Sequence, residues 1–238
     1  MRFAVALLAL SQLYGQDILR VSRRSSAPAT FKSIRTNSGA GGGTTIATSA
    51  TMNVAAGDFI VVMALGLNFA VSGIVCGTDT LTEVKSTTDS GVGLGMKTFI
   101  KQNASANASA TCTATFGGSA TNRFIVAANY SGVATSGGAL NTSCNDASCS
   151  AIAATSTSRT AQNVTTTTAR TLMIGVGLNV AINQTVTGAN SFTPRLTADY
   201  LFLNDKSVSV TGSYPAGNFG TVATTDQYVS RFIVVALL

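Results

Sequence analysis

The sequence predicts an all-β fold, an antiparallel β-sandwich of jelly-roll or Greek-key kind with about ten strands, and three observations carry the prediction. Apolar and polar residues alternate with a period of two, and no window sustains i, i+3, i+4 spacing between helix caps. Thr and Val are abundant, and both suit a pleated, half-buried chain. Between the apolar runs lie SGG, GTD, NDAS, GAN and NDK, whose Gly, Asn, Asp and Ser favour turns. Frequent turns between short strands indicate antiparallel pairing rather than strands alternating with helices.

Of 238 residues, 45% are hydrophobic and 10% charged, with 4 Cys, no His and no Trp. That length is ample for a core, and such hydrophobicity with so little charge is the opposite of a disordered composition. The lack of His removes every Ser-His-Asp and Cys-His arrangement and the commonest zinc ligand, and no cofactor is implied.

Taken in chain order, residues 1–15, MRFAVALLALSQLYG, set one positive charge before an apolar run and a small residue, as a secretory signal peptide does. The run is too short to span a bilayer, so no membrane span is expected in the mature chain. Residues 16–43 read as an extended basic arm ending in a Gly-rich linker, SGAGGGTT. Residues 1–35 hold six bases and one acid, a balance of +5, while residues 36–238 hold nine bases and eight acids, a balance of +1. The globular part is thus nearly neutral, and nucleic acid is not an expected partner of it. Ile18, Val21, Phe31 and Ile34 alternate with polar or basic residues, as on a half-buried strand. Two placements fit them: an inter-subunit arm adding a strand to a neighbour's sheet edge, or an edge strand of the same sandwich.

The sandwich domain is expected over 44–238, with strands near 45–54, 58–67, 71–76, 81–86, 93–102, 110–116, 123–130, 171–180, 191–204, 207–214 and 228–238. Four of these contain unbroken apolar runs, beginning at Phe59, Phe124, Leu172 and Phe232. Such runs belong on strands covered on both faces, either by other parts of the molecule or by a neighbouring subunit.

Cys76 and Cys112 sit in strand-like stretches, whereas Cys144 and Cys149 bracket the short loop CNDASC. In an exported chain this reads as two disulfides, the simplest pairing being 76 with 112 and 144 with 149. C-x4-C without His is a poor zinc pattern, so no metal site is expected.

Asp79 and Glu83 are the best candidates for a glycosidase pair, because they flank a turn in GTDTLTEV. On one strand they would stand about 13 Å apart, so turn Asp and exposed strand Glu is the simpler reading, and no catalytic residue is assigned. For sugar binding, the Tyr residues of the fold are Tyr130, Tyr200, Tyr214 and Tyr228, and Tyr214 with Phe219 in GSYPAGNFG is the most ligand-like pair. Asn103, Asn107, Asn129, Asn141, Asn163 and Asn183 lie in N-x-S/T sequons. A basic arm, a Gly-rich hinge and a jelly-roll is also the layout of small viral shell proteins, where the arm neutralises nucleic acid.

RFIVAANYSGVATSGGALNTS at 123–143, TTTTARTLMIGVGL at 165–178 and YVSRFIVVALL at 228–238 together resemble a group of secreted bacterial β-sandwich domains. Those domains carry an "EYSGV" strand-turn, a "TT…LLVG" strand and a closing "AVAL" strand. The resemblance covers most of residues 45–238, with Asn129 where the group carries an acid. It implies a surface or cell-wall-type protein and transfers no catalytic residue. The expected function is therefore that of a secreted, non-enzymatic surface or matrix protein, a self-assembling fibre subunit or adhesion module. The expected partners are copies of itself through strand addition, or surface glycans.

Overall fold

The computed structural model describes residues 28–89, 94–135, 156–160, 164–166, 169–179, 191–196, 201–214, 218–226 and 229–237, and every regular element among them is a β-strand. The first half runs β1 (Thr30–Gly39), β2 (Gly43–Ala47), β3 (Met52–Val54), β4 (Phe59–Leu67), β5 (Val71–Cys76), β6 (Asp79–Thr80), β7 (Thr82–Asp89), β8 (Leu94–Lys101), β9 (Asn107–Ala110) and β10 (Cys112–Ser131). The second adds β11 (Ser156–Thr160), β12 (Val164–Thr166), β13 (Thr171–Asn179), β14 (Thr193–Leu196), β15 (Leu201–Val208), β16 (Gly212–Tyr214), β17 (Asn218–Asp226) and β18 (Val229–Leu237).

Strand β10, with 20 residues, is the spine. One of its edges pairs with β5 and then β4, placing Cys112 opposite Cys76 and Tyr130 opposite Phe59. Its other edge pairs with β2 and then β1, placing Thr113 opposite Ala47 and Ser131 opposite Thr30. All three lines of chain break register at one level, between Thr115 and Phe124 of β10. There the sheet folds over, as strands do when they pass from one layer to another through bends. The crease is lined with small residues: Gly39 and residues 41–43 on one side, Gly117 and Gly118 in β10, and Gly66 on the other. At Gly66 the need for glycine is steric, since a Cβ would lie 2.7 Å from the ring of Phe116.

The folded sheet encloses one core, and a second sheet covers its outer face. Ile60, Val62 and Ala64 of β4 and Ile125 and Ala127 of β10 meet Ile46, Ile74 and Phe116 from the folded-over half. Their alternates, Phe59, Val61, Met63, Leu65, Val126 and Ala128, meet Leu172, Ile174 and Leu203. Those three belong to the sheet β14-β15-β13-β18, whose pairings are all antiparallel. The unbroken apolar runs of β4 and β10 thus sit in a middle layer covered on both sides by strands of the same chain. Each fully buried Val, Leu, Ile or Phe contributes roughly 1.5–3 kcal/mol.

Several expectations are corrected. The segment read as two strands, 110–116 and 123–130, is one strand with a bend, because the glycine pair between them creases the chain without reversing it. SGAGGGTT is no loose linker. Its backbone wraps Arg123, whose guanidinium donates to the carbonyl oxygens of Gly41, at 2.9 Å, and of Thr45. Residues 30–39 take the intramolecular alternative: β1 pairs with β10, and Phe31 and Ile34 pack on the chain's own core rather than on a neighbour. Ile18, Val21 and residues 1–15 lie outside the described residues.

Candidate functional site

The bulge in β1 opens the site. Phe31 lies opposite Tyr130 and Ser33 opposite Asn129, so Lys32 is an extra residue without a direct partner. Phe31 meets the Tyr130 ring edge-on at 5.6 Å between centroids, and the guanidinium of Arg195 lies over the Phe31 ring, 4.4 Å from its centroid. Arg195, from β14, is held by Asp205 of β15 through two parallel bonds, Nε to Oδ2 at 2.7 Å and Nη2 to Oδ1 at 3.1 Å. These elements enclose a pocket of about 320 Å³, also lined by Ala29, Leu172, Ser191, Thr193, Lys206 and Ser207. Ser191 holds a left-handed backbone, φ 64°, at its rim.

Tyr130 lines this pocket, and its hydroxyl is buried beside the Asp205 carboxylate, closed to solvent. Burial, then the neighbouring Asp205 carboxylate, push its pKa well above the ordinary tyrosine value. Lys206 sits 5.6 Å above the ring of Tyr214, the aromatic singled out in the sequence, and 5.8 Å from that of Phe192. Tyr214 itself stands beside the pocket, its hydroxyl donating to the Val210 carbonyl at 2.6 Å. Its sequence partner Phe219 lies on β17, and Tyr200 and Tyr228 lie outside the described residues. Sequence reasoning missed Arg195, Asp205 and Lys206. It took NDK for a turn, yet the tripeptide lies inside β15, where pairing with Arg195 neutralises Asp205.

On the opposite side of β1, a second polar cluster runs from the partly exposed Lys32 to the buried Asp58 and Asn129. Residues 55–58 form a turn in which Asp58 N–H donates to the Ala55 carbonyl at 3.2 Å. Gly57 supplies the positive φ, 85°, that the third position of such a turn requires. The turn returns the Asp58 carboxylate, 3% exposed, to face Lys32 Nζ at 2.6 Å and the Asn129 amide nitrogen at 3.0 Å. Ser33 donates to Asn129 Oδ1 at 2.7 Å. The Asn129 sequon is therefore sealed inside the fold, while Asn103 stands exposed.

Asp79 and Glu83 do not share a site. Asp79 accepts from the Ser105 N–H at 2.7 Å and hydroxyl at 3.0 Å and faces Lys101, whereas Glu83 pairs with Lys97 at 2.8 Å. Among the described residues, no three His, Cys, Asp or Glu side chains gather where they could hold a metal ion, and no helix is long and apolar enough to cross a membrane. Cys76 and Cys112 form a disulfide between directly opposed residues of β5 and β10. Cys144 and Cys149 lie outside the described residues. No protein-family model, curated protein or solved structure matches the chain.

Proposed function

We propose that the chain is an exported, non-catalytic β-sandwich module of a cell surface or extracellular matrix that holds a sugar residue of a surface glycan in the pocket between β1, β10, β14 and β15. The observation that carries this reading is the pocket itself, which sets the Phe31 ring beside the Arg195–Asp205 pair. Around it stand the groups that a hydroxyl-rich ring exchanges hydrogen bonds with: the Asp205 carboxylate, the Arg195 guanidinium and the hydroxyls of Ser191, Thr193 and Ser207. The volume, about 320 Å³, lies at the small end of ligand sites, roughly 300–1,000 Å³. The Cys76–Cys112 disulfide supports an oxidising compartment. The resemblance of residues 123–143 to secreted bacterial surface domains points the same way. Separate lysine partners for Asp79 and Glu83 speak against their acting as a pair.

A glycan array probed with the wild type and with Arg195→Lys tests the reading. The variant keeps the charge but loses the two parallel bonds to Asp205 and the planar guanidinium over Phe31, so it should bind weakly. Absence of glycan binding by the wild type, or binding that Arg195→Lys leaves unchanged, overturns it.

A further inference from the structure

We propose that Lys32 and Asn129 become joined by a side-chain amide bond, with Asp58 relaying the protons. The proposal is independent of the glycan reading, because it rests on the cluster on the other side of β1. Three groups meet there in the order a condensation needs. The nucleophile is the Lys32 amine, brought in by the β1 bulge that sets it beside Ser33. The electrophile is Cγ of Asn129, whose carbonyl oxygen accepts the Ser33 hydroxyl at 2.7 Å, a bond that draws electrons from the carbon. Between them, one oxygen of Asp58 takes a hydrogen bond from Lys32 at 2.6 Å and another from the Asn129 amide at 3.0 Å. The Ala55 N–H, at 2.9 Å, and the Asn53 carbonyl, 3.1 Å from the amide nitrogen, fix the remaining directions. Asn129 is 0% exposed, so bulk water does not compete for its carbon.

The step balances without an oxidant or cofactor. Asp58 takes one proton from the Lys32 ammonium, freeing the nitrogen lone pair to form the Nζ–Cγ bond. Asp58 then passes that proton to Asn129 Nδ2. The Cγ–Nδ2 bond breaks, and nitrogen leaves as ammonium after collecting the second Lys32 proton. A secondary amide and an ionised Asp58 remain. The reacting groups are held by strands β1 and β10 and a tight turn, which supplies the orientation that makes such a step fast.

Tryptic mapping of the reduced, denatured wild-type protein tests this. The expected product is a branched peptide joining residues 25–35 to 124–159, lighter by one ammonia than its two parts, with Lys32 resistant to cleavage. Lys32→Arg and Asp58→Asn should each return linear peptides, and in both variants the Cys76–Cys112 disulfide, read from a parallel unreduced digest, reports that the fold has formed. Recovery of linear peptides cut at Lys32 from folded wild type overturns the proposal. A branch to residues 36–85, lighter by one water, overturns the assignment to Asn129 and moves the bond to Asp58.

Discussion

Arg123 occupies the space that a side chain on Gly43 would need: a Cβ there would lie 2.7 Å from the guanidinium carbon, which the Gly41 and Thr45 carbonyls hold in place. Gly43→Ala should therefore expel the guanidinium and lose charge-assisted hydrogen bonds worth about 1.5–3 kcal/mol. Gly41→Ala, with open space around it, is the control and should change stability by less than about 1 kcal/mol. Urea titration of both variants checks this, and equal stabilities would mean that Arg123 does not brace the crease.

The crease shows why part of this fold was legible in the sequence and part was not. Alternation and turn residues predicted β4, β5, β8 and β13 close to their observed limits, because those strands are set by local pattern. Residues 39–43 misled, since glycines that admit a guanidinium look like glycines of a loose linker; only the contact with Arg123, 80 residues onward from Gly43, distinguishes them. The cross-strand disulfide was readable from its flanking strands. The pocket was not, for it joins Phe31 to residues beyond 190, and nothing local marks Arg195 and Asp205 as partners.

Removing the disulfide should be costly. Cys76 and Cys112 are 36 residues apart, and closing a loop of that size restricts the unfolded chain by about 4 kcal/mol in the chain-entropy model. Replacing both by Ala should lower the thermal midpoint by well over 5 °C. Unchanged melting with and without reductant would show that the bond adds little.

The middle layer should tolerate truncation poorly. Ile125 is 0% exposed between β4 and the folded-over half, so Ile125→Ala should cost about 2–5 kcal/mol. Exposed Val210, at 62%, is the contrasting site, where Val→Ala should stay within about 0.5 kcal/mol. Chemical denaturation of the two variants decides, and similar losses would contradict the layer order.

Acid should weaken the fold partly through Asp79. Burial raises its pKa, but the bonds from Ser105 and the charge of Lys101 outweigh that and leave it below the ordinary carboxylate value. A carboxyl whose folded pKa is depressed stabilises above the unfolded value of about 3.9, and that contribution disappears as pH falls through the lower folded value. Asp79→Asn should therefore lower stability near neutrality and flatten the acid limb of the stability curve. An acid limb identical to that of the wild type would remove Asp79 from the account.

Alkali acts through Tyr130 with the opposite sign. Burial and the Asp205 carboxylate hold its folded pKa well above that of the unfolded chain, about 10, so the folded state keeps a proton that the unfolded state gives up. The unfolded state then binds fewer protons, and stability falls as pH climbs above about 10. Tyr130→Phe removes this linkage, so it should delay alkaline unfolding. Thermal melts from pH 7 to 11 measure the effect, and an alkaline limb identical to that of the wild type would remove Tyr130 from the account.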